Sequence, residues 1–418
     1  MTQKRLLILG GNRYNVRSVQ AAREAGFYCM VADKNPQAPA FEVADVPLPI
    51  DLFDYDGLLT AVQEHGGVDG VVSMAEVGVR PAAYLAAQLD LPTIGEQAAA
   101  NATSKAAMRQ LWSQDGYSVD FRVVQTEAEA LAAVTELGAF PLLFKPDRSL
   151  GGSRGVSRVD SLNDVSVAFQ FAQSGALPGS AIVVEQFISG SEFSAEVLIW
   201  DGKTSVLCIG QKVKSPLPYR VDISVQYPAP LSEQQHQKIA AMCQSAISAL
   251  GVQQGVAHVE FAFTEHGPLL FELGVRCGGG HTPQIAHQVS GVNEFVEFCR
   301  ISCGLPPQQF TPIRQHGADY RFLVYPPGIF REAVIAPDLL QHPGVLDVGI
   351  TFAPGQMMNP LRTTAERAGF VVTTAATREE AVQLADWACQ QVTIHYDDGT
   401  KAHAYQLADF SSLRQAAP

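Results

Sequence analysis

The sequence predicts an α/β protein: an N-terminal doubly wound parallel sheet, a small α+β unit, a larger α+β unit and a C-terminal α+β extension. Three observations carry this. In the first hundred residues, short apolar runs alternate with amphipathic helical patterns, as in parallel strands joined by helices. Beyond residue 190 the pattern changes mostly to period-two runs, which read as paired strands. The length, 418 residues, exceeds one ordinary domain, and 47% apolar against 17% charged residues allows large cores.

Residues 4–9 form the first strand, and Gly10-Gly11-Asn12 is a tight turn. A helix over 16–25 stops at Gly26, and a second strand, 27–32, ends at Asp33. A helix over Tyr55–Glu64 precedes a strand at 68–73, and Leu91-Pro92-Thr93-Ile94-Gly95 closes a first domain, 1–97. Asp33 stands where a ribose-binding acid of a dinucleotide site would sit. After Gly10 and Gly11, however, the next glycine is Gly26, so the phosphate fingerprint is missing and no such site is expected.

The second segment, 98–188, opens with a linking helix over 104–115 ended by Gly116. It continues with a strand (Phe121–Val124), a helix (Glu127–Leu137), a strand (142–145), a glycine-rich loop, a strand (156–159), a helix (164–173) and a strand (182–185). The third, 189–305, is mostly paired strands with one helix over 233–250. The last, 306–418, holds strands at 321–324 and 370–374 and a helix over 378–391; no internal repeat is present.

The net charge of −13 argues against nucleic acid or an anionic membrane as the main partner, because both need a basic footprint. A local basic site for phosphate remains allowed. No apolar run approaches the roughly 18 residues of a membrane span, and the short apolar run at the N-terminus does not make a signal peptide. Seven cysteines (29, 208, 243, 277, 299, 303, 389) form an odd, scattered set without a CxxC. They read as buried reduced thiols, and the expected location is the cytoplasm.

Four stretches carry candidate chemistry. An apolar strand ends in Lys145, and Pro146 is expected to stop its ladder. The loop Gly151-Gly152-Ser153-Arg154-Gly155 follows; its amides can turn inward as an anion nest, with the lysine ammonium at its root. The bland alternative is a flexible hairpin with a surface lysine. Next, Ile182-Val183-Val184-Glu185-Gln186-Phe187-Ile188 can meet an adenine edge through its backbone while apolar side chains cover the ring. Glu192 can accept from ribose hydroxyls; alone, each glutamate also reads as a solvated strand-end charge.

The strongest constellation is a hairpin. Residues 256–263 and 269–273 alternate with period two around Thr264-Glu265-His266-Gly267-Pro268. Setting Phe263 opposite Leu269 places Phe261 opposite Phe271 and Val259 opposite Leu273, which sets Glu260 against Glu272 on the other face. Opposed carboxylates repel, so the pair needs a cation between them or a proton on one; oxygen-only ligands suit Mg²⁺. The alternative is a polar face with both acids splayed into water. Arg276 suits a phosphoryl group or carboxylate, and the run Gly278-Gly279-Gly280 allows close backbone approach to a ligand. His281 and His287 lack the companions of a zinc set.

In order, spacing and context these pieces resemble the ATP-grasp superfamily over roughly residues 1–300, and within it the L-amino acid ligases, or dipeptide synthetases. The Glu272–Arg276 spacing and the C-terminal extension are similar to that group. The resemblance implies an ATP-grasp fold, ATP and Mg²⁺ as cofactors, with Mn²⁺ as a substitute, and roles for single residues. Lys105 and Lys145 hold ATP phosphates, and the loop from Ser149 through Gly151, Gly152 and Ser153 to Gly155 closes over them. Gln186 and Ile188 meet adenine, with Glu185 nearby, and Glu192 binds ribose. Glu260 and Glu272 hold the metal, and Arg276 steadies an acyl phosphate and oxyanion. Two departures from the pattern stand out. Gly274 replaces an Asn common after the second metal glutamate, and Asp222 and Val225 stand where relatives often carry Glu and His in a substrate loop. Asp222, Gly278 and Gly279 are the substrate-side candidates.

The expected activity is that of an ADP-forming carboxylate–amine ligase, making an amide or peptide bond through an acyl phosphate. The partners are then a small-molecule acid and amine, with a homodimer left open. Two alternatives remain: an ATP-grasp carboxylase using bicarbonate, of the purine or biotin type, and a nucleotide-binding protein without catalysis.

Overall fold

A computed structural model describes residues 3–149, 152, 154–216 and 219–413, and the chain forms two compact units. Each is assembled from three stretches. The first takes 1–119, 194–208 and 231–314; the second takes 120–193, 209–230 and 315–418. The long strands Ser191–Trp200 and Lys203–Lys214 contribute residues to both.

The first unit is built on a parallel sheet in the order Val46–Leu48, Tyr28–Ala32, Arg5–Leu9, Gly70–Ser73. Its central strand shows why the fold is doubly wound. Leu6 and Ile8 enter one core, with Val19, Phe295, Phe298 and Cys299. Leu7 and Leu9 enter another, with Leu58, Val62 and Leu85. Alternate residues of an apolar strand thus bury against helices on both faces. The helices are Val16–Glu24 and Glu294–Ser302 on one side, Tyr55–Glu64 and Val79–Gln88 on the other.

Asp33 has a local occupation. Its carboxylate accepts the Gly11 amide at 2.8 Å and the Asn35 amide at 2.9 Å, closing the glycine turn. A Cβ on Gly11 would stand 2.9 Å from the Ala38 Cβ, so the turn is packed from outside as well.

Several elements go beyond the sequence expectation. The strand Val46–Leu48 has three residues and contains Pro47, too short to show a period. The helices Val79–Gln88 and Thr282–Ser290 carry Pro81 and Pro283 near their starts, where proline is tolerated but resembles a break.

The second unit contains an antiparallel sheet in the order Phe121–Val124, Ile182–Gln186, Leu142–Pro146, Ser157–Val159. The helices Glu127–Leu137 and Val165–Ser174 cover it through Ala130, Val134, Phe169 and Ala172. Pro146 does not stop the ladder as expected: it pairs with Ile182 as the last residue of its strand. The other neighbour pairs only as far as Phe144, so no donor is missed on that side. The rest of the unit carries the strands Asp222–Tyr227, Gly317–Leu323, Gly369–Ala375 and Val345–Ile350 side by side, with the helix Arg378–Gln390 against them. A small sheet runs Met357–Met358, Gly328–Ile335, Val392–Tyr396, Lys401–His403. No helix among the described residues is long and apolar enough to cross a membrane.

All seven cysteines are buried and free, as expected. Burial pushes the thiols of Cys29, Cys243, Cys303 and Cys389 up to about 12. A thiol reagent is therefore expected to find no fast-reacting group in the native chain and all seven cysteines, Cys29 through Cys389, after unfolding. A rapid native reaction would contradict this burial.

One buried charge network sits under the second unit's strands. Arg321 donates to Asp319 and to Asp386, each at 2.6 Å, and Ser224 donates to Asp319 at 2.8 Å. Burial raises the Asp319 carboxyl, with Arg321 and Ser224 opposing. Arg321→Met is expected to cost about 3–5 kcal/mol because it strands a buried carboxylate; Asp319→Leu added to it restores much of the loss. Denaturant midpoints of the full chain check this, and an unchanged midpoint for the single variant would refute it.

Candidate functional site

The hairpin Gly255–Thr264 and Gly267–Gly274 sets Glu260 opposite Glu272 and Val259 opposite Leu273, in the expected register. Toward its tip the register differs. Phe261 pairs with Leu270 and Phe263 with Pro268, because the register shifts between Glu260 and Phe261 in a bulge that falls at Phe271 on the other strand. Beside the bulge the Leu270 amide donates to the Tyr117 carbonyl at 2.9 Å, and its carbonyl accepts Arg109 at 2.5 Å. Arg109 lies one turn after Lys105 on the helix Lys105–Trp112, which Ser104 caps by accepting the Ala107 amide at 3.1 Å. The Lys105 ammonium reaches Glu272 at 3.0 Å.

Glu260 has a second neighbour on its own strand. His258, two residues earlier and so on the same face, sets Nε2 at 3.2 Å from Glu260 and Nδ1 at 2.6 Å from Glu196. Burial alone would lower this imidazole; Glu196 and Glu260 together outweigh it and raise the ring to about 9. The other oxygen of Glu196 accepts the Gly278 amide at 3.1 Å. Gly278 has no room for a side chain, since a Cβ would meet Thr282 at 2.4 Å and Glu196 at 2.9 Å. Gly279 is exposed, and its carbonyl accepts the Thr282 hydroxyl at 2.7 Å.

Arg276 donates from Nε to Glu76 at 3.2 Å and from Nη1 to the Cys277 carbonyl at 2.9 Å. Burial opposes its charge, but Glu76, Glu272, Glu260 and Glu196 hold the guanidinium above its ordinary value. Glu76 follows the strand Gly70–Ser73, at the carboxyl end of the parallel sheet where such folds place ligands. The first unit thus gathers Lys105, Glu260, Glu272 and Arg276, with Glu76, His258 and Glu196 around them.

The second unit gathers the other candidates. Lys145 and Glu185 form an ion pair at 2.7 Å, both almost fully buried. The Gln186 amide donates to the Asp120 carbonyl at 3.0 Å and the Phe187 amide to the Pro141 carbonyl at 3.1 Å; Ile188 is buried. Those two amides are therefore occupied within the unit, a constraint on the expected backbone contact with adenine. Glu192 is held by Lys214 at 2.9 Å and by Arg220 at 2.5 Å. Asp222 faces Lys214 at 2.8 Å, Lys212 at 3.7 Å and Arg367 at 3.9 Å. Ser149 makes an isolated bridge with Ala176, and the Gly152 carbonyl accepts the Thr364 hydroxyl at 3.3 Å. Gly151 and Ser153 lie outside the described residues.

Among the described residues no three His, Cys, Asp or Glu side chains form a metal cage. Glu260 and Glu272 instead offer two facing carboxylates. That donor set fits Mg²⁺, which is commonly held by one or two carboxylates and completes its shell with waters and phosphate oxygens. Glu76, His258 and Glu196 escaped the sequence reading, although signals existed. His258 shares a strand face with Glu260, and Glu196 is the one charge inside the apolar run 193–199.

The ATP-grasp domain model matches residues 138–284, the ATP-grasp N-terminal domain model 19–93, and the L-amino acid ligase C-terminal domain 2 model 321–397. The crystal structure of an L-amino acid ligase from Bacillus licheniformis superposes on 94% of this chain and 99% of its own, with a TM-score of 0.79 and 24% identity. An uncharacterized protein of Sinorhizobium fredii is 27% identical, covering 92% of this chain and 83% of its own. A formate-dependent phosphoribosylglycinamide formyltransferase of Synechocystis is 28% identical, covering 74% and 78%. The chain is a member of the ATP-grasp superfamily of ATP-dependent ligases and, within it, resembles the L-amino acid ligases.

Proposed function

We propose that the protein joins an amino acid to another amino acid or small carboxylate, through an acyl phosphate, with release of ADP and phosphate. The observation that carries this reading is the facing pair Glu260 and Glu272, with the Lys105 ammonium and the Arg276 guanidinium in the same unit. Such a group suits the transfer of a phosphoryl group to a carboxylate, where charge on oxygen must be offset.

In this reading Lys145 and Lys105 hold ATP phosphates, and the loop from Ser149 to Gly155 closes over them. Gln186 and Ile188 line adenine, with Glu185 beside them, and Glu192 binds ribose. Glu260 and Glu272 hold Mg²⁺, or Mn²⁺ in its place; the bound cation neutralises phosphate charge during transfer. Arg276, oriented by Glu76, steadies the acyl phosphate and then the oxyanion formed when the amine attacks. Asp222, Gly278 and Gly279 lie on the substrate side. The buried Lys145–Glu185 pair supports a functional lysine over a surface one, since a buried ammonium needs a partner.

Two measurements test the reading. Lys145→Ala is expected to weaken ATP binding about 10- to 150-fold, the loss of one charge-assisted contact of about 1.5–3 kcal/mol. Calorimetry with wild-type affinity would count against the assignment. The second follows a screen of amino acids and small carboxylates for phosphate release. When the amine attacks an acyl phosphate, the C–O bond breaks and one carboxylate oxygen leaves on phosphorus. An ¹⁸O-labelled acid should deliver one labelled oxygen to inorganic phosphate per amide formed, with ADP as the nucleotide product. Label in AMP would mean adenylation, and unlabelled phosphate with normal amide yield would exclude the proposed intermediate.

A further inference from the structure

The chain Glu260–His258–Glu196–Gly278 joins two parts of the candidate site through one buried carboxylate. Glu196 is fully buried, on the strand Ser191–Trp200. One of its oxygens takes His258 Nδ1 at 2.6 Å, and the other takes the Gly278 amide at 3.1 Å. The far side of the ring, Nε2, meets Glu260 at 3.2 Å. A carboxylate held from one direction by a fixed donor loses the rotamers that turn it away from a ligand. In metal sites the groups that orient a ligand affect binding nearly as strongly as the ligand itself.

Behind Glu196 lies Glu294, also fully buried. Burial first and Glu196 second push its carboxyl well above the usual range. Glu196 itself faces the ring and the glycine amide. Cys277 and Cys208, both buried, wall the same place.

We propose that His258 and Glu196 are positioning residues: Glu196 fixes the His258 ring and the Gly278 amide together, and the ring holds the Glu260 carboxylate in the orientation that takes a divalent cation. The inference rests on Glu260 being a metal ligand. It adds that the metal ligand and the glycine run after Arg276 share one anchor, so neither is set independently of the other.

The test uses the full chain saturated with ADP and titrated with Mn²⁺, free metal being read by electron paramagnetic resonance. Glu260→Gln serves as the reference and should abolish tight Mn²⁺ binding. His258→Phe keeps a ring but removes both nitrogens, and it should weaken Mn²⁺ about 10- to 100-fold. Glu196→Gln should weaken it within the same range, and His258→Gln, which retains one donor, should lose less. Thermal unfolding without metal accompanies each variant. If Glu260→Gln loses the metal while His258→Phe and Glu196→Gln bind it as wild type, the positioning role is wrong and the metal assignment stands, whatever their melting temperatures. If Glu260→Gln itself binds Mn²⁺ normally, the metal assignment fails and the inference goes with it. Should His258→Phe not fold, Glu196→Gln and His258→Gln, both close in shape to the native residues, give the same decision.

Discussion

Two carboxylates are forced to face each other on one hairpin, and much of the first unit can be understood as the answer to that constraint. Like charges placed directly opposite each other on a hairpin repel. The apolar face of the hairpin leaves no freedom to separate them: Val259 and Leu273 are buried opposite each other, and a one-residue slip would expose them. The repulsion is met by Lys105, brought from another helix beside Glu272, and by His258, beside Glu260 on the same strand. On the proposed reading, Glu260 and Glu272 would hold a divalent cation whose charge would supply this neutralisation, leaving Lys105 for phosphate.

The second unit follows the same rule with its charges at rest. Lys145 is paired with Glu185, and Glu192 with Lys214 and Arg220. On the proposed reading, an incoming phosphate would compete with a carboxylate already in place. Such a site would discriminate, because only a ligand that offers more charge and better geometry than the resident partner gains by the exchange. The cost of leaving a buried charge alone explains why both partners are present before any ligand arrives.

The legible part of the fold was the part with strong periodicity. Strand 5–9 and the helices at 55–64, 127–137 and 378–390 were readable because their apolar spacing is set by the neighbours they pack against. The helix Glu294–Ser302 was not, since the strand it covers is nearly 300 positions earlier and its own pattern is short. At the site, Glu260 opposite Glu272 could be derived from register alone. The pairings of Lys105 and Arg276 could not. They depend on Glu272 and Glu76, contacts fixed by tertiary packing rather than by spacing along the chain.

The bulge at Phe271 shows how a local irregularity carries this arrangement. Perfect alternation would have paired Phe261 with Phe271; the bulge pairs it with Leu270 instead. The Leu270 backbone meets Tyr117 through its amide and Arg109 through its carbonyl. Arg109 is fully buried, and its guanidinium ties the helix Lys105–Trp112 to the hairpin. Lys105 stands one turn earlier on that helix, so the anchor that fixes Arg109 also aims the ammonium at Glu272. The departure from regular pairing thus sits beside the backbone that anchors Arg109, and through its helix Lys105, next to the carboxylate pair, as bulges commonly re-aim the groups around them.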